Sequence, residues 1–370
     1  MKILLISIND LKEQTGGGIY LRTIYELYKL TNNEISLFSK NSKDFTVRKN
    51  ALTDIIGRLF LCPSYIGFYV LRLIVLSFKY DCVAIHSSRL GTIAKVLKFF
   101  RPNLKVVIHS DNVETILIKS LTVHGGLPRK IINYLDKMLM PMSERLCSKY
   151  SDVLTFITKE DENTFRELGL LASDVTTEVV PVMLPGRINI SNQKNSYILF
   201  TGSFDFYPNQ HAFTRLIEIA KANKKIDFVV AGRKLYDFLE ESSLEVPENI
   251  AIESDVSKDK MESLYQNASV FLCPVYYGSG MKTKIAEALS YNVFCVADAM
   301  STFGYKEAIE AGVVIPVTSG FFDSPCIDAL FKMQNTMLAQ ANVDSIQPYD
   351  VFEKYYSLNS GIEIFRRVLQ

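Results

Sequence analysis

Tryptophan is absent from this 370-residue chain, histidine occurs only four times, and the six cysteines include no close pair. Cys62, Cys82, Cys147, Cys273, Cys295 and Cys326 lie too far apart in sequence for a metal knuckle or a redox dithiol. Several fall in apolar, strand-like runs where Cys acts as a small hydrophobe, the usage of a reduced, cytoplasmic protein. Long apolar runs are missing too. The best membrane candidate, 59–78, is broken by Arg72, and its longest uncharged stretch, Leu59–Leu71, is short of the roughly 18 residues a spanning helix requires. The first strand-like run starts at Met1-Lys2-Ile3-Leu4-Leu5, so no secretory signal is expected. A net charge of +1 argues against a general nucleic-acid binder.

Hydrophobic residues make up 48% and charged residues 22% of the chain, a globular composition long enough for two cores. The near-zero charge hides an asymmetry: residues 1–185 balance at +6 and residues 186–370 at −5. Between Lys40 and Lys105 stand 12 basic side chains against Asp44, Asp54 and Asp81. Short apolar runs alternate with longer helical segments, the pattern of a parallel α/β architecture. The first series has strands at Lys2–Ile8, Ile35–Phe38, Asp81–His86, Lys105–His109 and Val153–Ile157. Helices are expected at Ile19–Leu30, Tyr65–Lys79, Leu90–Phe100, Pro128–Lys149 and Lys159–Leu168, the last opened by a Thr158/Asp161 capping pattern. A polar, proline-containing stretch at Pro181–Asn195 reads as a linker, and the alternation then restarts. Strands follow at Tyr197–Thr201, Ile226–Ala231, Val270–Cys273, Val293–Ala297 and Val313–Ile315, with helices at Asn209–Ala222, Lys258–Asn267 and Met281–Ser290. The expectation is an α/β chain of two Rossmann-like domains facing a central cleft, 1–185 and 186–345. A C-terminal helical segment, 346–370, is expected to pack back on the first domain.

Two glycine-rich turns follow strands and open helices. Gly17 and Gly18, in Thr15-Gly16-Gly17-Gly18, would let the backbone approach a ligand or merely loosen a loop. The stronger case is Cys273-Pro274-Val275-Tyr276-Tyr277-Gly278-Ser279-Gly280-Met281-Lys282-Thr283-Lys284-Ile285-Ala286-Glu287-Ala288. A helix starting after Gly278, Ser279 and Gly280 offers free backbone donors to a diphosphate, and Lys282 or Lys284 adds charge. Glu287, two turns further in, can accept from two vicinal ribose hydroxyls. The bland alternative for the three charged residues is a solvated helix face.

The stretch Gly278-Ser279-Gly280-x-x-x-Lys284-Ile285-x-Glu287-Ala288 resembles the retaining glycosyltransferases of family 4 and related members of the GT-B clan. The resemblance extends over nearly the whole chain. Ile198-Leu199-Phe200-Thr201-Gly202-Ser203 looks like the strand and turn that open the family's second domain. Phe228-Val229-Val230-Ala231-Gly232-Arg233 looks like the strand whose following basic residue meets the donor diphosphate. Gly202, Ser203 and Arg233 thereby join the implied donor site. Many members carry two glutamates with seven residues between them; Ser279 stands at the place of the first, which leaves the donor sugar open.

In the first domain, His109-Ser110-Asp111-Asn112-Val113-Glu114 closes a strand at the position where the family often carries a His or Asp beside the reacting carbon. His109 fits one register and Asp111 another; a cap for the next helix is the structural alternative. A His can donate to a sugar hydroxyl, and an ionised Asp can act as a base. No Asp-x-Asp occurs, so a metal-bridged diphosphate is not expected, and Arg233, Lys282 and Lys284 would neutralise the charge. His86, His124 and His211 read as structural. The resemblance implies a transferase acting with retention, taking sugar from a nucleoside diphosphate, UDP first, without metal or other cofactor. The implied acceptor is a saccharide or lipid-linked saccharide of bacterial surface polysaccharide. The basic, Phe/Leu-rich stretch 55–105 suits peripheral contact with an anionic membrane or, equally, a buried helix with solvated flanks. A nucleotide-sugar epimerase of the same fold and a non-catalytic partner subunit are the alternatives.

Overall fold

The computed structural model describes residues 1–13, 15–120, 127–186, 197–276, 280–318, 329–330, 332 and 346–370. Two units emerge: Met1–Met183 with Gly361–Gln370, and Leu184–Ser360.

The first unit is built on a parallel sheet of order β3-β2-β1-β4-β5-β6-β7. Its strands are β1 (Lys2–Ser7), β2 (Glu34–Ser39), β3 (Phe45–Thr46), β4 (Cys82–His86), β5 (Lys105–Ser110), β6 (Val153–Phe156) and β7 (Thr176–Val179). The inner strands β1, β4 and β5 are buried along nearly their whole length, as a sheet covered by helices on both faces demands. The connecting helices are α1 (Gly16–Leu30), α2 (Ala51–Leu59), α3 (Val70–Ser77), α4 (Gly91–Phe100), α5 (Glu114–Ser120), α6 (Leu127–Tyr150) and α7 (Lys159–Glu167). The helix expected over 65–79 divides into a 3₁₀ turn, Tyr65–Tyr69, and α3. Thr158 caps α7 as its sequence predicts, accepting the N–H of Asp161 at 3.0 Å.

The second unit has strand order β10-β9-β8-β11-β12-β13, all parallel, with β8 (Tyr197–Ser203), β9 (Asp227–Arg233), β10 (Ile250–Ser254), β11 (Val270–Cys273), β12 (Phe294–Asp298) and β13 (Val314–Val317). Counted from its own first strand this is 3-2-1-4-5-6, the dinucleotide-fold order. Its helices are α8 (Tyr207–Ala222), α9 (Leu235–Ser242), α10 (Lys258–Asn267), α11 (Thr283–Ser290) and α12 (Lys306–Glu310). The α/β class and the pair of parallel sheets agree with the sequence pattern.

The segment 346–370 divides. The helix Pro348–Tyr355 packs on α11 and α12 inside the second unit. The helix Leu358–Leu369 enters the first unit at Gly361, where an added Cβ would come within 2.3 Å of the Met183 sulfur. Phe365 then stacks edge-on against Tyr28, with ring centroids 4.9 Å apart.

In open parallel sheets, ligands bind beyond the carboxyl ends of the strands where the strand order reverses direction. That point lies between β1 and β4 in the first unit and between β8 and β11 in the second.

Candidate functional site

In the second unit, β8 and β9 run in register to their ends, pairing Gly202 with Gly232 and Ser203 with Arg233. Gly232 has φ +157°, and a Cβ built there would lie 1.7 Å from the Gly202 carbonyl oxygen. No side chain fits, so two strands end in bare backbone close together. The exposed Arg233 guanidinium donates from Nε to Ser203 Oγ at 3.0 Å and from Nη2 to Asp205 Oδ2 at 2.9 Å. The Ser203 hydroxyl, donating at 2.6 Å, and then the Arg233 charge hold the Asp205 carboxyl below its ordinary value.

β11 ends at Cys273, and the chain emerges at Gly280, φ +77°, to start α11. Gly278 and Ser279 lie outside the described residues. The Lys282 side chain does not cap α11; the Tyr305 hydroxyl accepts the Ala286 N–H at 3.0 Å and donates to the Lys282 carbonyl at 2.8 Å. Lys282 Nζ reaches the Gly280 carbonyl at 3.3 Å, and burial pulls its pKa down.

Lys284 turns inward. Its Nζ donates to the Thr201 carbonyl at 2.7 Å and to Asn209 Oδ1 at 2.8 Å, and lies 4.9 Å from the centre of the Phe200 ring. Burial lowers its pKa to about 8. The cation expected to meet a diphosphate thus ties α11 to the end of β8 and the first turn of α8, with two of its three hydrogens spent there. Glu287, half-buried one turn on, accepts from the Tyr265 hydroxyl at 3.2 Å, and that hydroxyl also pairs with Thr201 Oγ1 at 2.7 Å. Tyr265 is itself fixed by stacking on Tyr291 at 5.2 Å. A separate cavity of about 310 Å³, lined by His211, Arg215 and Tyr276 among others, lies beside Pro274 rather than at Glu287.

In the first unit the glycine turn serves the chain itself. A Cβ on Gly18 would fall 2.4 Å from the Glu13 carbonyl, and one on Gly17 would meet Asn9 at 3.0 Å. Both glycines let the 9–13 loop fold onto the start of α1, and Thr15 caps that helix by accepting the Gly18 N–H at 3.3 Å.

His109 stands on β5 but not at an open face. It is fully buried, with Nε2 bonded to the Tyr28 hydroxyl and Nδ1 to Thr155 Oγ1, each at 2.8 Å. Its ring stacks on Phe365 at 5.7 Å and 3°. With both nitrogens engaged, the expected contact with a transferred sugar has no atom left to make it. Burial lowers the imidazole pKa to about 3, so it is neutral. This corrects the expectation for His109: the strand alternation that placed it is also what drives it into the core.

Three buried polar atoms at the ends of β4 and β5 are unpaired. Asp111 is 8% exposed, and its Oδ1 has no partner among the described residues; the same holds for His86 Nε2 and Arg89 Nε. His86, which reads as structural in sequence, ends β4 at the switch point and holds Ser7 Oγ through Nδ1 at 3.1 Å. Ser87 after it takes φ +99°, a strained backbone for a residue with a side chain. Burial raises the Asp111 carboxyl pKa, and the Arg89 cation opposes the shift. Arg89 is also paired to Glu114 at 2.6 Å. Beneath them Glu144 takes the Glu114 N–H at 2.7 Å, which holds the start of α5, and burial raises its carboxyl pKa to about 7. Asp111 and Arg89 keep some exposed surface and offer an acceptor and a donor to a polyhydroxylated ligand, whereas His86 is as deeply buried as His109 and belongs to the core. Sequence spacing pointed to Asp111; nothing in it distinguished His86 or Arg89.

Residues 195–325, most of the second unit, match the family described as "Glycosyl transferases group 1". A 44.6 kDa protein of the cps region of Klebsiella pneumoniae is 24% identical over 245 residues, 63% of this chain; the match spans 61% of that relative's length. The solved structure of HepE from Anabaena, in complex with UDP and glucose, superposes with a TM-score of 0.65 at 11% identity, covering 100% of this chain and 99% of its own. The lipopolysaccharide outer core galactosyltransferase WaaB superposes with a TM-score of 0.65 at 13% identity and the same coverage. The chain therefore has the GT-B fold, and its second unit resembles the group 1 glycosyltransferases.

Proposed function

We propose that this chain transfers a sugar from a nucleoside diphosphate, UDP first, to a saccharide or lipid-linked saccharide acceptor in bacterial surface polysaccharide synthesis. The observation that carries the proposal is Glu287: a carboxylate aimed by Tyr265 on α11, the helix that opens after Gly280 beside the β8/β11 switch point. A carboxylate at that place suits two vicinal ribose hydroxyls. Arg233 supplies a cation at the bare ends of β8 and β9, and Lys282 a second beside α11; together they take the place of a metal on the diphosphate. UDP in the HepE complexes supports that nucleotide, and the cps-region relative and WaaB support the acceptor class. As part of the same proposal, the work is placed on the cytoplasmic side of the membrane. Among the described residues no helix is long and apolar enough to cross it.

Glu287→Ala is expected to weaken UDP binding by about 1.5–3 kcal/mol, the scale of a charge-assisted hydrogen bond. Arg233→Ala should cost UDP more than UMP, and EDTA should leave turnover intact. Calorimetry showing wild-type UDP affinity in folded Glu287→Ala would remove this residue from the donor site; activity abolished by EDTA and restored by manganese would overturn the metal-free diphosphate.

In the first unit Asp111 orients a sugar hydroxyl rather than acting as a base, because retention leaves the acceptor proton to the departing diphosphate oxygen. Asp111→Asn is then expected to lower turnover about 10- to 100-fold, one charge-assisted hydrogen bond, while UDP affinity stays unchanged. The product should keep the donor's anomeric configuration. Proton NMR of the anomeric coupling checks this, and an inverted product would make Asp111 the base and refute retention.

A further inference from the structure

Two helices of the first unit turn apolar faces outward. On α2, Leu52, Ile55 and Leu59 recur at helical spacing and are 62%, 51% and 75% exposed. Their burial elsewhere is blocked by the other side of the helix: Gly57 sits against the Ser64 carbonyl so closely that an added Cβ would be 2.0 Å from it. On α6, Ile131, Tyr134, Leu135 and Met138 form a second such face, with Tyr134 at 65% and Met138 at 62% exposed. Past Pro141 the same helix reverses its character: Ser143, Glu144, Cys147 and Ser148 are buried, and Gly91 of α4 meets Ser143 and Cys147 at backbone distance.

A buried ion pair joins the two exposed faces. Arg58 donates from Nε and Nη2 to both oxygens of Asp136, each at 2.9 Å, and also pairs with Asp54. Arg58 precedes Leu59 and Asp136 follows Leu135, so the pair sets the two apolar stripes side by side. It also occupies both acids of α2 and of 130–140. Among the described residues that flank the stripes in sequence, Arg48, Lys49, Lys130 and Lys137 are exposed cations, with Asp44 the nearest exposed acid. The layer continues the theme, since α4 packs on both α6 and α3, and Leu71 and Val75 of α3 are 74% and 67% exposed beside exposed Arg72 and Lys79.

We infer that the α2/α6 face docks on an anionic lipid surface, with the apolar stripes among the acyl chains and the flanking Lys and Arg side chains at the headgroups. An apolar patch of this extent on a soluble chain marks an interaction site, and cations of one sign around it select an anionic leaflet over a protein groove. The docking needs no sugar transfer, so Glu287→Ala should bind vesicles as the unaltered protein does even if it binds no nucleotide.

The test is sedimentation with vesicles of phosphatidylcholine alone or mixed with phosphatidylglycerol. The protein should pellet with the anionic vesicles and be released as salt rises, because exposed charges are screened within about 10 Å at 0.1 M. Leu59→Glu with Leu135→Glu should lower partitioning at least tenfold. Lys130→Glu with Lys137→Glu should remove the preference for anionic vesicles. Circular dichroism melting curves establish that both variants are folded. Equal partitioning of all three proteins would overturn the inference. So would a lipid-free dimer in light scattering that Leu59→Glu with Leu135→Glu renders monomeric, since the face would then belong to a second copy.

Discussion

His109→Ala is expected to destabilise the first unit by about 4 kcal/mol, the range for emptying a buried aromatic site, with two hydroxyls left unpaired. Tyr28 and Thr155 each lose the 2.8 Å partner they share, and Phe365, which anchors the C-terminal helix, loses its stacking face. For a unit of this size the melting transition should fall by about 8–16 °C. The titration has a sign. Burial depresses the His109 and His86 pKa values from 6.5 to about 3, so the unfolded chain binds more protons in that window and stability falls as pH drops through it. Glu144 acts in the opposite direction: raised from 4.5 to about 7, it favours the folded state increasingly as pH falls between those values. The two trends oppose one another above pH 4.5. Asp161, raised by burial from 3.8 to about 6, acts as Glu144 does and offsets part of the histidine loss down to about pH 4, so the melting temperature should fall steeply below that, and less so in His109→Ala. A folded variant with an unchanged melting temperature and lost turnover would return His109 to the substrate.

The history of His109 shows what was legible in the chain. The alternation of apolar runs with amphipathic segments marked the inner strands to within about two residues, because a doubly covered parallel strand must be apolar throughout. It missed what that pattern does not mark. β3 is two residues long, β7 is only partly buried, and α2 exposes the apolar residues a core helix would hide. The period-two rule told which face of β5 His109 occupies but not how deep that face lies, which depends on Tyr28 and on Phe365 from the far end of the chain. The donor motif was legible as far as its residues are contiguous. Glu287 could be found from its turn and helix, whereas Tyr265, which aims it, lies 22 residues earlier on α10. Asn209, which draws Lys284 inward, is 75 residues from it. Local spacing reveals which groups are present; where their hydrogen bonds go is decided by strand order.

Gly232→Ala should be the most damaging small substitution in the second unit. The methyl carbon would stand 1.7 Å from the Gly202 carbonyl oxygen, a backbone atom fixed by the β8/β9 ladder, so neither side can yield by rotating a side chain. Overpacking and backbone strain each cost roughly 1–3 kcal/mol, and together they should exceed about 3 kcal/mol. The transition of the second unit should then fall by about 6–12 °C. Separating the two strand ends also moves Ser203 and Arg233, which are held together by the 3.0 Å bond between them, so UDP should bind more weakly even below the melting range. Gly312→Ala supplies the control: its φ is +73°, but nothing lies within 4 Å of the added carbon. It should cost only the backbone term, about 1–2 kcal/mol, and leave UDP affinity alone. If the two variants melt together and bind UDP equally, the close approach of β8 and β9 is not what shapes the donor site.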